Sequence, residues 1–156
     1  MANRRTPIER VCIFCGSRLG NRPIYRSHAA RVAALLAERG IGIVYGGGSI
    51  GLMGVVADAA LRAGGEVIGV IPEVLMAREF AHPNLTRLHI VRTMHERKAL
   101  MSDLADGFLA LPGGFGTLDE LFEIVTWAQL GIHSKPVVLL NSGDYYRHLL
   151  ASLRHA

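Results

Sequence analysis

Short apolar runs alternate with helical stretches along this chain, and that alternation constrains the fold more than any other feature. The runs lack the polar–apolar alternation of a half-exposed strand, so they predict strands buried on both faces of a parallel sheet. The order predicts an α/β fold: one Rossmann-like, doubly wound parallel sheet with helices on both faces, in a single domain over residues 1–156. Predicted strands lie at 11–15, 41–45, 66–71, 107–111 and 135–141. Predicted helices lie at 23–39, 50–64, 94–105 and 117–131, with a last helix from residue 145, and residues 72–92 are expected to be the least regular part.

Composition supports a globular protein of this size. The 156 residues suit one domain with a full core, and half of them are hydrophobic while 19% are charged. No apolar run approaches the roughly 18 residues that a membrane helix needs. The basic N-terminus lacks the apolar stretch that follows in a secretory signal. We therefore expect a cytoplasmic protein that does not associate with membranes.

The charge balance leaves two kinds of ligand open. The formal net charge is +4, and six arginines fall within the first 26 residues. Such a cluster is typical of nucleic-acid binding, but it also suits a small phosphorylated ligand. Only Phe14 and Tyr25 interleave with these arginines, so we favour the small ligand and expect no nucleic-acid partner. The six are Arg4, Arg5, Arg10, Arg18, Arg22 and Arg26.

Cys12 and Cys15 form a C-x-x-C pair, a spacing found in redox motifs and in metal sites. Redox pairs lie where a helix begins, whereas this pair lies on a predicted strand. Positions three apart on a strand face opposite sides of the sheet. No second pair and no nearby histidine pair completes a metal site. We therefore predict two core cysteines rather than a redox or metal centre.

The first glycine-rich turn, GGGSIG at residues 46–51, matches the G-x-G-x-x-G spacing of dinucleotide sites. It follows the second predicted strand, whereas the usual fingerprint follows the first. The acid that should end the next strand and hold a ribose is also missing, because Glu66 starts that strand and Glu73 lies beyond its end. We favour a tight turn with close helix–sheet packing, with a nicotinamide dehydrogenase as the alternative.

The second glycine-rich turn, PGGFGT at residues 112–117, is the stronger indication of a ligand site. Gly113, Gly114 and Gly116 let a ligand approach the backbone closely. Thr117 is predicted to N-cap the following helix, whose first turn offers unpaired N–H groups and a partial positive charge. The turn therefore predicts a phosphate site. It is not a P-loop, because no G-K-[ST] follows.

Two carboxylates, Asp119 and Glu120, come directly after this predicted phosphate site. One interpretation is structural, since Thr117 and Glu120 have the spacing of a capping box. The other is that Glu120 faces the sugar of a bound ligand, where its attraction to a unit positive charge at ~4 Å is about 4 kcal/mol. A phosphate at the loop and a cationic sugar beside an acid is the charge pattern of glycosidic cleavage.

A third motif, TMHERK at residues 93–98, places two cations at a predicted helix N-terminus. Thr93 and Glu96 fit a capping box. Arg97 and Lys98 then oppose the helix dipole by about 0.3–1 kcal/mol. They are either solvated cations or groups that serve an anionic ligand or polarise a leaving group, and we favour the second interpretation.

With these motifs placed, the chain resembles the LOG (Lonely Guy) family, the cytokinin riboside 5′-monophosphate phosphoribohydrolases, whose pattern is PGGxGTxxE. The resemblance covers nearly the whole chain, although typical members continue further at the C-terminus. It rests on CIFCGSR, VYGGGSIGLMGVVADAAL, GVIPEVLMAREF, MHERKALM, LPGGFGTLDELFEIVTWAQLGIHSKPVVLLN and GDYY. The two motifs PGGFGTLDE and MHERK together make it specific.

The resemblance implies hydrolysis of the N-glycosidic bond of an N6-substituted adenosine 5′-monophosphate, giving the free base and ribose 5-phosphate. It also implies that Arg97 and Glu120 are the catalytic pair, that no cofactor or metal ion takes part, and that the protein forms a homodimer. The substrate contacts that it implies are Glu79, Lys98, Gly113, Gly114, Gly116, Thr117 and Thr126.

Two departures from the family pattern and several rival functions stay open. Asp119 stands where glutamate is commoner, and Arg18 stands in CGSR where serine is frequent, which makes the mouth of the site more basic. An AMP nucleosidase would carry the same loop, and a molybdenum-cofactor carrier of similar fold would bind without cleaving. Some relatives carry a lysine-decarboxylase label. The only lysines, Lys98 and Lys135, have no sign of a pyridoxal site around them.

Overall fold

The computed structural model describes residues 6–156 and contains one six-stranded parallel sheet with the strand order β4-β3-β2-β1-β5-β6. The strands are β1 (Arg10–Phe14), β2 (Gly42–Tyr45), β3 (Val67–Pro72), β4 (Arg87–Val91), β5 (Gly107–Ala110) and β6 (Val137–Leu139). The helices are α1 (Pro23–Glu38), α2 (Gly51–Arg62), α3 (Met76–Glu79), α4 (Met94–Leu104), α5 (Phe115–Gln129) and α6 (Arg147–His155). Arg4 and Arg5 of the basic N-terminal cluster lie outside the described residues.

Helices pack on both faces of the sheet, which confirms the predicted fold class. Alternate residues of β1 serve the two faces: Ile13 packs in the core under α1 and α2, whereas Cys12 and Phe14 pack in the core under α4 and α5. Strands β2, β3 and β5 are buried throughout, as their continuous apolar sequences predict.

The segment expected to be irregular contains a strand that the sequence prediction missed. Residues 73–75 form a 3₁₀ turn, α3 follows, and β4 then pairs in parallel with β3. β4 is an edge strand with exposed positions at Arg87 and Ile90. Its sequence therefore mixes polar and apolar residues and lacks the continuous apolar run by which the other strands were predicted. The five predicted strands therefore become six.

The strand order reverses between β1 and β5. The chain builds the sheet outward from β1 through β2 and β3 to β4, and then crosses to the other side of β1 for β5 and β6. In doubly wound sheets, ligands bind outside the carboxyl ends of the strands at such a reversal. This topology places the segments that follow β1 and β5 next to each other, where the Gly16 amide donates to the Pro112 carbonyl at 3.2 Å.

Candidate active site

A cavity of about 230 Å³ lies at this reversal of the sheet. Six segments meet around it: the end of β1, the end of β2, the start of α2, the segment around α3, the start of α4 and the first turns of α5. Its lining residues are Ile13, Cys15, Gly16, Ser17, Gly46, Met53, Leu75, Glu79, Met94, Arg97, Gly114, Phe115, Gly116, Thr117, Asp119 and Glu120.

Helix α5 points its N-terminus into this cavity. Gly114 is the N-cap and supplies no capping side chain, and the first intrahelical bond runs from the Leu118 amide to the Gly114 carbonyl at 3.1 Å. The amides of residues 115–117 therefore precede the helical hydrogen bonding and are available to a ligand. Bare amides at a helix N-terminus bind anions.

The predicted capping role of Thr117 is wrong. The helix begins two residues before it, at Phe115, so Thr117 lies inside the first turn and cannot form a capping box with Glu120. Thr117 is 3% exposed, and its hydroxyl has no hydrogen-bond partner within residues 6–156. This hydroxyl has access to the cavity and can bind a ligand there.

The glycines of this turn differ in what surrounds them. A Cβ at Gly113 would lie 2.0 Å from the Thr117 Oγ1, so Gly113 serves packing. Positions 114 and 116 have no atom within 4 Å of such a Cβ, although both residues line the cavity. The protein keeps open the space in front of the second and third glycines.

Glu120 faces the same cavity from one turn further along α5. It follows Gly116 by four residues and Thr117 by three, so the side chains share one face of the helix. No hydrogen bond or ion pair within residues 6–156 engages its carboxylate. Burial raises the pKa of Glu120 to about 7; Arg97 opposes the rise, and Glu79 and Asp119 add to it.

Arg97 enters the cavity from α4 and is 4% exposed. The predicted capping box ahead of it is confirmed, since the Glu96 amide donates to the Thr93 Oγ1 at 3.1 Å. The Arg97 Nε donates to the Val70 carbonyl at 2.9 Å, and its Nη2 donates to the Gly46 carbonyl at 2.6 Å. Arg97 is therefore a fixed, buried group rather than a solvated cation.

Glu79 completes the charged part of the cavity from the end of α3. Its Oε2 accepts from the Arg97 Nη2 at 2.9 Å, and its side chain is largely buried. The backbone around it is anchored, because the Ser49 amide donates to the carbonyls of Glu79 at 3.1 Å and Phe80 at 2.8 Å. Glu79 thus orients the guanidinium toward the cavity and balances its charge.

Three residues of the predicted site do not line this cavity: Gly113, Lys98 and Thr126. The Lys98 Nζ is held between the Asp119 Oδ2 at 3.2 Å and the Glu123 Oε2 at 2.5 Å, which joins α4 to α5. These carboxylates raise the pKa of Lys98, with Glu123 the largest cause. Thr126 is exposed on α5, more than two turns beyond the first turn of the helix.

The turn at residues 46–51 is filled by the protein itself. A Cβ at Gly46 would lie 2.2 Å from the Arg97 Nη2, and a Cβ at Gly48 would lie 2.9 Å from the Glu79 carbonyl oxygen. The His82 amide donates to the Gly47 carbonyl at 2.9 Å. These contacts support the close-packing interpretation and leave no room for a dinucleotide against these glycines.

The predicted core position is confirmed for Cys12, whereas Cys15 is only partly buried. Cys12 is fully buried under α4 and α5, and Cys15 packs on the opposite side of the sheet, where it also lines the cavity. Both are free thiols, and burial raises the pKa of each well above its ordinary value. A reactive thiolate is therefore disfavoured at both positions.

Reasoning from the residues missed the apolar part of the cavity. Leu75, Met94 and Phe115 line it, and Phe115 is 93% exposed at its edge. The sequence did offer a signal for Phe115. A large apolar residue between two glycines of a turn has no structural reason to be apolar, so it indicates contact with a ligand. Leu75 could not be found this way, since its position depends on how residues 73–79 pack over the sheet.

The described residues also limit which other groups could bind. Within residues 6–156, no three His, Cys, Asp or Glu side chains lie close enough together to hold a metal ion. Across the same range, no helix combines the length and apolarity that crossing a bilayer requires. The Lys135 Nζ donates to the Ser102 carbonyl at 2.7 Å, and neither lysine lines the cavity, so the chain's residues do not fit a pyridoxal cofactor.

Together the fold and the cavity define a doubly wound α/β protein in which the unbonded amides of a helix start and a carboxylate face the same cavity. A family model described as "Possible lysine decarboxylase" matches residues 53–156. The chain is 49% identical over 156 residues to the cytokinin riboside 5′-monophosphate phosphoribohydrolase LOG7 of Arabidopsis thaliana, covering 100% of this chain and 72% of that protein. It is 51% identical over 154 residues to the cytokinin riboside 5′-monophosphate phosphoribohydrolase of Rhodococcoides fascians, covering 98% and 77%. The chain belongs to this family of phosphoribohydrolases.

A solved structure supports the fold alone. The molybdenum-cofactor carrier protein of Chlamydomonas reinhardtii superposes with a TM-score of 0.73 at 22% identity, over 97% of this chain and 86% of that chain. At this level of identity the similarity extends to the arrangement of helices and strands and carries no information on the ligand.

Proposed function

We propose that this protein is an N-glycosyl hydrolase that cleaves N6-substituted adenosine 5′-monophosphates to the free base and ribose 5-phosphate. The relatives at about 50% identity over nearly the whole chain carry the name of this activity. The observation that carries the proposal is the placement of Glu120. Its carboxylate has no partner within the described protein and lies one helical turn from the bare amides of α5.

The 5′-phosphate binds the start of α5. The amides of residues 115–117 point toward the cavity, and the Thr117 hydroxyl adds a donor beside them. Gly114 and Gly116 leave the space that a phosphate needs for close approach. Because one turn of helix spans about 5 Å, a phosphate held there places its ribose beside Glu120.

Glu120 acts as a carboxylate beside C1′. Cleavage breaks the C1′–N9 bond, the electron pair leaves with the purine, and positive charge develops on the sugar. An ionised Glu120 stabilises that charge and orients the water that adds to C1′. Since the pKa of Glu120 lies at about 7, we expect turnover to rise with pH as the pH passes through 7.

Arg97 serves the departing base. Its Nε and Nη2 are occupied by carbonyls and by Glu79, whereas its Nη1 has no partner within residues 6–156. This remaining donor can hydrogen-bond a purine nitrogen as negative charge develops there. Glu79 keeps the guanidinium in place. Lys98 does not contact the substrate but holds α4 against α5 through its ion pairs with Asp119 and Glu123.

The apolar edge of the cavity favours a substituted adenine over plain AMP. Leu75, Met94 and Phe115 line the cavity, and Val74 and Phe80, next in sequence to Leu75 and Glu79, expose further apolar surface. An apolar N6 substituent would bury this surface at about 25 cal/mol per Å². This apolar surface favours cleavage of a substituted adenosine monophosphate over the alternative function, an AMP nucleosidase.

We propose that the protein is a cytoplasmic homodimer that uses the outer face of α5. Phe122, Val125 and Leu130 are exposed there, next to Thr126. Thr126 would contribute to a substrate site only through the apposition of a second chain. Light scattering should give twice the chain mass, and Val125→Glu should lower it to one chain.

Incubation with a panel of nucleotides tests the function. We expect ribose 5-phosphate from N6-isopentenyladenosine 5′-monophosphate and at least about tenfold less from AMP, which lacks the apolar substituent. We expect no cleavage of N6-isopentenyladenosine, because it lacks the phosphate that binds the start of α5. Faster cleavage of AMP would favour the AMP nucleosidase. Binding without any ribose 5-phosphate would favour the carrier and contradict the proposal.

A further inference from the structure

A second cavity of about 480 Å³ adjoins the first on the other side of the α5 N-terminus. The two share Gly16, Ser17, Gly114 and Phe115. The walls of the second cavity come from the segment after β1, from α1 and α2, from the glycine turn before α5, and from the segment before α6. Its remaining lining residues are Arg18, Leu19, Gly20, Asn21, Tyr25, Leu52, Pro112, Gly113 and Tyr145.

The two cavities have opposite electrostatic character. Three carboxylates and one guanidinium line the first cavity, whereas no acidic residue lines the second. The second cavity instead offers the Arg18 guanidinium, the Asn21 amide and the Ser17 hydroxyl, and none of the three side chains has a hydrogen-bond or ion-pair partner within residues 6–156. Groups that donate hydrogen bonds around a single cation suit an anion.

Tyr25 adds a buried polar group to this wall. The hydroxyls of the other three tyrosines, at positions 45, 145 and 146, each donate to a main-chain carbonyl. Tyr25 is only 6% exposed, yet its hydroxyl has no partner among the described residues. That hydroxyl is not among the fully enclosed polar atoms without a partner, and Tyr25 lines the second cavity. An unpartnered hydroxyl on this wall is free to donate a hydrogen bond to a ligand.

The position of this cavity defines what it can hold. Under the proposed function, on which this inference rests, the 5′-phosphate occupies the amides at the start of α5 and the sugar extends into the first cavity. The second cavity then begins at the phosphate on the side away from the sugar, because both cavities meet at Gly114 and Phe115. A group attached to that phosphate can therefore reach the second cavity.

We propose that the second cavity is a subsite for a second phosphoryl group, so that the protein binds inorganic pyrophosphate and nucleoside 5′-diphosphates across both cavities. Arg18 and Tyr25 are the residues that distinguish a diphosphate from a monophosphate. Arg18 contributes charge and Tyr25 a fixed donor, while the amides of α5 are common to both ligands.

Titration calorimetry with inorganic phosphate and with pyrophosphate tests this subsite without any turnover. We expect pyrophosphate to bind the full chain at least about tenfold more tightly than phosphate, the gain of one charge-assisted contact. Arg18→Ser should remove most of that preference and leave phosphate affinity within about twofold. Tyr25→Phe, which keeps the packed ring, should reduce the preference by a few-fold. Arg31→Ser, an exposed arginine on α1 outside this cavity, is the matched control for net charge.

The outcomes separate this inference from the proposed function. Equal binding of the two anions, or equal losses for both anions in Arg18→Ser, would overturn the second subsite even if nucleoside monophosphates are cleaved. A retained pyrophosphate preference that depends on Arg18 and Tyr25 would support it even if no nucleotide is cleaved. Competitive inhibition of monophosphate cleavage by ADP should weaken in Arg18→Ser, whereas inhibition by AMP should not. That result would show that the second subsite also binds the terminal phosphate of a nucleoside diphosphate.

Discussion

Two glycine-rich turns follow strands in this chain, and the protein uses them in opposite ways. The turn at residues 46–51 is packed from all sides, with Arg97, Glu79 and the segment after β1 in the places where side chains would be. The turn at residues 113–116 packs only its first glycine, and the second and third face open space. The first turn is therefore part of the core, and the second is available to a ligand.

The difference shows that a glycine motif does not by itself define a ligand site. What decides it is whether another part of the chain fills the space in front of the glycines. Around the first turn the polar groups are satisfied within the protein, as the Arg97 contacts with Gly46 and Glu79 show. Around the second turn, the Thr117 hydroxyl and the Glu120 carboxylate have no partner within residues 6–156.

The largest effect on stability should come from the packed turn. Gly51→Ala places a Cβ 2.3 Å from the Arg18 amide nitrogen at a φ of +57°. Clash and backbone strain together should lower the free energy of unfolding by about 3 kcal/mol or more, measured by urea denaturation. Gly64→Ala is the control for strain alone, because its φ is +78° and no atom lies within 4 Å of its Cβ. Equal losses at both positions would contradict the packed role of this turn.

The unpartnered carboxylate beside the open turn should make stability depend on pH. The pKa of Glu120 is about 7 in the folded protein, against an ordinary value of 4.5. Between these values the folded state binds more protons, so the free energy of unfolding falls as the pH rises and the loss is complete above pH 7. Glu120→Gln should remove this decline, worth about 3 kcal/mol.

Chemical denaturation of both proteins at pH 4.5, 6 and 8 measures that decline. Asp119→Asn, a change to the neighbouring and more exposed carboxylate, is the matched control and should keep most of it. A parallel pH dependence in Glu120→Gln and the parent protein would show that Glu120 is not the buried, unpaired acid described here.

The smallest effect on folding should come from the open turn. Gly116→Ala adds a side chain where no atom lies within 4 Å, and alanine favours a helix, so stability should change by less than about 1 kcal/mol. The same methyl group should obstruct the phosphate and raise KM for the monophosphate about tenfold or more, measured by steady-state kinetics. An unchanged KM would mean that the phosphate binds elsewhere.

Much of the fold was predictable from local pattern, because buried parallel strands have continuous apolar sequences. The edge strand β4 was missed since Arg87 and His89 interrupt that pattern. The start of α5 was misplaced because threonine is a good N-cap, whereas the structure begins the helix at Phe115 after a glycine with no capping side chain. Residue preferences alone cannot choose between a helix start at Phe115 and one at Thr117, because Gly114 and Gly116 each allow the backbone to enter a helix there.

The site was predictable only in part. The open glycine turn and the carboxylate that faces the cavity one turn after it follow from spacing along one helix. The pairing of Arg97 with Glu79 joins residues 18 apart, and it depends on the hydrogen bonds that hold the segment around α3 to Gly47 and Ser49. The role of Lys98 as a link between α4 and α5 likewise depends on tertiary contacts. Such contacts leave no periodic signal in a single sequence.

The most direct test of this account is the turnover of N6-isopentenyladenosine 5′-monophosphate by Glu120→Gln at pH 8, followed as ribose 5-phosphate released. Because the carboxylate acts on charge that develops only in the transition state, we predict a fall in kcat of about 10²–10³, with KM within a few-fold of the parent protein. Asp119→Asn in the same assay should retain most of the activity. A Glu120→Gln protein that turns over the nucleotide at nearly the parent rate would contradict the assignment of this carboxylate to the sugar.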